Sequence, residues 1–195
     1  MDDIVKQAMA KWPNVPDCYG WLGLDARGAW RMRDERAQQR GELGDKLAHE
    51  ALIGFINRNY ASDERGCWFF QNGPQRVFLN LEATPFIART DPARGLVLQT
   101  GAAFASLDGA FMTETGALIL EGDGKVAQLD DRDAAQLFAL LLLDGEPVGD
   151  DALLAWLDGS PGEMRLPLLE QLIPVQRIAV ADVPARFGFQ RAPAS

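Results

Sequence analysis

Asp25-Ala26-Arg27-Gly28-Ala29-Trp30-Arg31-Met32 is echoed by Asp63-Glu64-Arg65-Gly66-Cys67-Trp68-Phe69-Phe70 and again by Thr113-Glu114-Thr115-Gly116-Ala117-Leu118-Ile119-Leu120. Each copy is a polar turn closed by a glycine, the residue that takes positive φ without steric cost, followed by large side chains alternating as a half-buried strand requires. Three β-hairpins follow from this pattern.

Other segments supply the elements between them. Ile4, Val5, Ala8, Met9 and Trp12 are spaced as one apolar face of a short N-terminal helix capped by Asp2 or Asp3. A polar stretch from Asp34 to Asp45 precedes a helix expected over 46–60, with Asp45 as N-cap and Ala48, Leu52, Phe55, Ile56 and Tyr60 on its apolar face. A hairpin turning at Asn72-Gly73-Pro74 comes next, and Pro85 ends its second strand. Asp91 to Gly95 reads as a linker. Short strands are expected at 96–99, 110–112, 117–121 and 125–129, then a helix from Asp130 or Asp131 to about Leu143, apolar on nearly all sides. A helix over 151–157 and an extended segment over 176–180 close the chain.

Two further matches share one offset. Ala51–Ile56 resembles Ala152–Leu157, and Gln75-Arg76-Val77 resembles Gln176-Arg177-Ile178, both 101 residues apart. The reading is therefore an α+β fold of repeated β-hairpin and helix motifs, with small antiparallel sheets backed by helices in two related halves, 1–92 and 93–195, docked as one compact unit.

Composition narrows the partners. With 47% hydrophobic and 24% charged residues among 195, the chain has ordinary globular composition, and its net charge of −9 repels phosphate backbones and anionic lipid heads. Neither nucleic acid nor a membrane is expected as a partner. The exception is local, because Arg27, Arg31, Arg33, Arg36 and Arg40 form a basic patch suited to a small anion. The start of the chain lacks the basic, apolar pattern of a secretory signal, and the apolar run Leu137–Leu143 falls far short of a membrane span, so a soluble cytoplasmic protein is expected. Cys18 and Cys67 have no CxxC spacing and read as two reduced thiols.

Catalytic and metal motifs give no catalytic residue, metal ligand or cofactor. His49, the one histidine, lacks the second histidine of HExxH. Ser62, Ser106, Ser160 and Ser195 stand in no GxSxG elbow, and Gly122-Asp123-Gly124-Lys125 reads as a hairpin turn rather than a phosphate loop. Asp130, Asp131 and Asp133 lack the glycine and terminal glutamate of a calcium loop and read as helix-capping acids.

The densest cluster of recognition chemistry runs from Arg58 to Arg76. Arg58, Tyr60, Trp68, Gln71, Asn72, Gln75 and Arg76 combine aromatic area with planar amide and guanidinium groups, which suit a carboxylate, an amide or a peptide backbone. Strand alternation places Trp68 and Phe70 on one face and Phe69 on the other. The competing reading makes the aromatics core and the amides turn partners.

Several stretches carry a resemblance: Tyr19–Arg31, Phe55–Tyr60, Gly66–Val77, Leu81–Pro85, Leu129–Asp133 and Phe187–Phe189. Through them the chain resembles a family of uncharacterised proteobacterial proteins. Its plan of Gly-x-Trp hairpin, helix, second hairpin, Glu and Pro-Phe is also similar to the domain of unknown function 1285 group. That likeness implies an α+β fold of repeated motifs and a link to signalling, and it brings no catalytic residues. The expected function is a non-enzymatic module binding a small anion, a peptide or a protein, of undetermined oligomeric state. The alternatives are an enzyme using Glu82 with Arg76, and an oligomerisation protein using hairpin edges near Phe78.

Overall fold

The computed structural model describes residues 1–194. By its internal contacts the chain forms two units. One holds Met1–Pro85, Gln99–Gly101 and the segment from Phe187 onward; the other holds Phe86–Leu98 and Ala102–Arg186.

The first unit contains α1 (Asp3–Lys11), β1 (Cys18–Leu24), β2 (Trp30–Met32), α2 (Glu35–Arg40), β3 (Asp45–Lys46), α3 (Glu50–Arg58), β4 (Tyr60–Ser62), β5 (Trp68–Asn72) and β6 (Gln75–Leu81). Its sheet runs β3-β2-β1-β6-β5-β4. All neighbours are antiparallel except β1 and β6. The second unit contains β7 (Phe86–Asp91), β8 (Gly95–Leu98), β9 (Gly109–Thr113), β10 (Leu118–Gly122), β11 (Lys125–Leu129), α4 (Asp131–Phe138), β12 (Leu142–Leu143), β13 (Glu146–Pro147), α5 (Asp150–Leu157), β14 (Met164–Leu168) and β15 (Gln171–Ile178). A last helix, α6, spans Val183–Phe187. The second sheet runs β13-β12-β14-β15-β9-β10-β11-β7-β8, with β9 parallel to β15 and β7 parallel to β11.

One strand plan occurs twice. The series β3-β2-β1-β6-β5-β4 has the same neighbours and relative directions as β11-β10-β9-β15-β14-β12. Pairing register fixes the correspondence residue by residue. Leu24, opposite Trp30 and Leu81, answers to Met112, opposite Leu118 and Arg177, giving offsets of 88 residues in the first hairpin and 96 in the last strand. The two-residue turns Gly73-Pro74 and Leu169-Glu170 give 96 independently. The 101-residue echo is thus not the structural correspondence. By chain order α3, between β3 and β4, answers to α4, between β11 and β12, and not to α5.

The recurring turns share one hydrogen-bond pattern. The backbone N–H groups of Asp25, Asp63 and Thr113 donate to the carbonyls of Ala29, Cys67 and Ala117, each at 3.0 Å. Gly28, Gly66 and Gly116, with φ of 80°, 74° and 79°, donate back to Asp25, Asp63 and Thr113. Asp25 Oδ1 also accepts from the N–H groups of Arg27 and Ala29, and Asp63 Oδ1 from those of Arg65 and Cys67. Thr113 Oγ1 accepts from Ala117 alone of the equivalent donors. Backbone and side chain together fix a glycine-bulged hairpin.

The sheets are mixed rather than antiparallel, because the first and last strands of each motif meet side by side after a crossover, a contact local patterning does not encode. Asp91 to Gly95 is the β7–β8 hairpin turn, not a linker. The expected 46–60 helix is shorter at both ends. Asp45 and Lys46 pair with β2, Tyr60 starts β4, and the N-cap is His49, whose Nδ1 accepts from the Leu52 N–H at 3.2 Å. Helix α4 ends at Phe138 and buries only Leu137, so it is not covered on several faces. The polar 34–45 stretch contains α2, N-capped by Asp34. Among the described residues no helix is long and apolar enough to cross a membrane.

Candidate functional site

The two faces of the first sheet are built differently. On one, Trp68, Phe70 and Val77 align with Leu22, Leu24, Leu79 and Leu81 beneath α3. Phe55 meets Phe70 edge-on at 5.4 Å between centroids, Tyr60 meets Trp30 at 5.2 Å, and Trp68 lies 4.7 Å from Tyr60. Tyr60 donates its hydroxyl to the Pro85 carbonyl at 2.8 Å, and burial pushes its phenol well above the usual range. These contacts place Tyr60 and Trp68 within an aromatic cluster against the helix.

Register places Phe69 opposite Phe78 and Gln71 opposite Arg76 on the other face. Phe78 is fully buried, stacked on Tyr19 at 4.8 Å and packed against Phe69 and Cys67. It therefore lies in a core and not at an exposed edge, so a charge there would disrupt packing instead of probing association. The sheet is covered on both sides of β6, which is why strict alternation of apolar and polar residues fails along it.

Farther along this second face, a cleft of about 600 Å³ opens between β5–β6 and the segment leaving α1. Trp12, Val15, Pro16, Gln71, Pro74 and Arg76 line it, among others. Arg76 is exposed, and its guanidinium lies 4.9 Å from the Phe69 ring centroid, where the aromatic face favours a cation. Trp12 is 51% exposed and stands under the Lys11 ammonium. Gln71 is 1% exposed. Its Nε2 donates to the Gly73 carbonyl at 2.9 Å, while its Oε1 is buried without a hydrogen-bond partner among the described residues. That donor bond fixes the amide orientation, since a flip would set two oxygens face to face. Leaving a buried amide oxygen unmatched costs about 1–3 kcal/mol.

The remaining expected site residues do not line the cleft. Gln75 Nε2 donates to the Pro16 carbonyl at 3.0 Å and ties down the segment after α1. Arg58 Nε reaches both carboxylate oxygens of Asp2 at 3.2 Å, and Asn59 Oδ1 accepts from the Asp2 N–H at 2.8 Å. Together they hold the start of α1. Asn72 pairs with Gln75 across the hairpin end. Gln71 and Arg76 thus line the cleft, Gln75 braces the segment that walls it, Arg58 and Asn72 do not line it, and Tyr60 and Trp68 lie on the opposite face. Glu82 accepts from the Ala26 N–H at 2.7 Å and lines a different cleft from Arg76, so the structure does not bring those two together. Trp12 to Asp17 escaped the sequence reading as site residues. Their signal was the run Trp12-Pro13-Asn14-Val15-Pro16, whose prolines forbid continuation of α1.

These features define a class: an α+β protein of two hairpin-built units sharing one strand plan, with a polar cleft on the sheet of the first. The chain belongs to the family DUF2944, whose model, described as "Protein of unknown function (DUF2946)", matches residues 1–194. Among solved structures it is similar to a DUF1285 family protein from Silicibacter pomeroyi DSS-3, with a TM-score of 0.51 and 12% identity over 83% of this chain and 82% of that one. That likeness is one of fold alone. A DUF1285 family protein from Shewanella baltica OS155 is also similar, with a TM-score of 0.41 and 14% identity over 60% of this chain and 88% of that one. No curated protein matches the chain.

Proposed function

We propose that this protein is a binding module of regulatory character whose ligand is a peptide, or a peptide-like molecule, that carries a carboxylate. The observation behind this reading is the unpartnered Oε1 of Gln71, directly across the β-ladder from the exposed guanidinium of Arg76, in residues lining one cleft. An amide oxygen lacking a donor accepts the N–H of a ligand amide once the side chains that close it from solvent are displaced. A guanidinium pairs with its carboxylate. Trp12 and the prolines beside it supply flat apolar area for the rest of the ligand. Cys18 and Cys67, both free thiols, fit work in a reducing cytoplasm.

The experiment is a titration of Trp fluorescence with a mixed tetrapeptide library bearing free C-terminal carboxylates, run beside the same library amidated. The free acids are expected to bind at least tenfold tighter, with Arg76→Gln removing the difference and Gln71→Met weakening both. Equal behaviour of the two libraries, or no response to either, overturns the reading.

A further inference from the structure

At the opposite end of β6, on the same face of the first sheet, a smaller cleft of about 180 Å³ is lined by Gly23, Arg31, Arg33, Asn80, Glu82 and Arg191, among others. We infer that this cleft is a binding site for a small oxyanion group, phosphoryl or carboxylate, with Arg33 as its central cation.

Arg33 carries a charge that no acid among the described residues neutralises. It is 9% exposed, and its guanidinium donates to two neutral backbone carbonyls, Glu42 O at 2.9 Å and Gly20 O at 3.3 Å, while it makes no ion pair among the described residues. An arginine cannot shed its proton to relieve such a position. A buried charge without a counter-ion costs several kcal/mol, so an anion arriving from solvent recovers more here than at any surface arginine. The acids nearby leave that charge unpaired: Asp25 holds Arg31 at 2.7 Å, Glu42 faces Arg40 at 3.7 Å, and Glu82, a charged carboxylate on the cleft wall, turns one oxygen to the Ala26 N–H and makes no ion pair with Arg33 among the described residues.

Shape supports the same conclusion. Gly23 lies between Arg31 and Asn80 in the ladder, and a Cβ there would stand 3.2 Å from the Asn80 carbonyl oxygen and 3.6 Å from Arg33 Cδ. The missing side chain keeps the cleft open. In the second unit the equivalent positions hold Phe111, Ile119 and Gln176, with Phe111 and Ile119 buried. Where one sheet is filled by a phenyl ring, the other has a glycine and an arginine. The cleft is below the roughly 300–1,000 Å³ of sites for larger organic ligands, which limits the occupant to a small ion or one charged group of a molecule extending outward. Arg31 and Arg191 add planar donors suited to a tetrahedral or carboxylate oxygen set.

Thermal unfolding and calorimetry with inorganic phosphate and with succinate, each against potassium chloride at matched ionic strength, test the assignment. A saturable rise of about 5 °C or more at a hundredfold excess over Kd is expected for at least one. A response to phosphate alone assigns a phosphoryl group, to succinate alone a carboxylate, and to both the shared oxyanion chemistry. Arg33→Met is expected to weaken binding at least tenfold. Because that change also removes two backbone contacts, Asn80→Asp is the second variant. It places a carboxylate in the cleft, so it should raise the melting temperature without added anion and reduce the anion response at least tenfold. No saturable response beyond chloride, or an Asn80→Asp variant that responds like the parent, overturns the proposal.

Discussion

The two sheets share a strand plan but differ in what they put on it. In the second unit the ladder positions Phe111 and Ile119 are buried and apolar; in the first the same positions are Gly23 and Arg31. The pair Gln71 and Arg76 answers to Pro167 and Leu172, which carry neither an amide nor a guanidinium. One scaffold therefore serves twice, and the polar, concave version occurs where side chains that would fill it are replaced. That difference separates residues that hold the architecture from residues available for recognition, a distinction that fold likeness alone does not supply.

The largest expected effect comes from emptying the filled version. Phe111→Ala should destabilise by about 3–5 kcal/mol through lost burial and a residual cavity, as measured by urea denaturation. A cost below about 1 kcal/mol would mean that Phe111 is not packed as its burial indicates. Next in size is a transplant across the equivalence. Arg31→Ile leaves Asp25, almost fully buried, without its cation, and should cost about 2–4 kcal/mol, less than a fully buried pair because Arg31 retains some solvent. Asp25 corresponds to Thr113, so adding Asp25→Thr reproduces the second unit's pair and should recover more than half of the loss. Strict additivity of the two substitutions would break the equivalence at this position.

The sequence made the hairpins legible because each carries its own turn chemistry within five residues. Asp25, Asp63 and Thr113 announce side-chain acceptors, and the glycines after them announce positive φ. The parallel contacts β1–β6, β7–β11 and β9–β15 were not legible, since they join strands far apart in sequence through backbone bonds that any residue can make. Strands of two residues, such as β3 and β12, have no period to read. The Gln71–Arg76 pair was visible as chemistry within a short segment. Its neighbours Trp12 and Pro16 were not, because only the packing of α1 across the hairpin brings them near. Arg33 could be recognised in sequence as part of a basic patch, but the burial of its charge depends on Glu42 and Gly20, which the fold supplies.

The repeated turns differ in surroundings in the same way. Gly66 and Gly116 have nearly equal φ, yet a Cβ on Gly66 would lie 2.1 Å from the Gly188 carbonyl oxygen, whereas one on Gly116 would meet nothing within 4 Å. Gly116→Ala should therefore cost about 1 kcal/mol, for the left-handed backbone alone. Gly66→Ala should cost about 2–4 kcal/mol, because the last segment of the chain must also move. Equal losses would show that the close approach to Gly188 contributes nothing to stability.

The smallest effect has the opposite sign. The turn equivalent to Gly73-Pro74 in the second unit is Leu169-Glu170, where two side-chain-bearing residues both take positive φ, at 52° and 59°. Leu169 is held there by contact, since its Cδ2 fills the space a Cβ on Gly95 would enter, while Glu170 is exposed. Glu170→Gly removes one left-handed penalty and leaves the Leu169 contact in place. It should stabilise by about 1 kcal/mol in denaturant titration, reduced by the greater freedom glycine gives the unfolded chain. A loss of stability instead would mean that the carboxylate of Glu170 holds a partner strong enough to outweigh its backbone strain, and the second unit's turn would then be a specialised feature rather than the plain member of the pair.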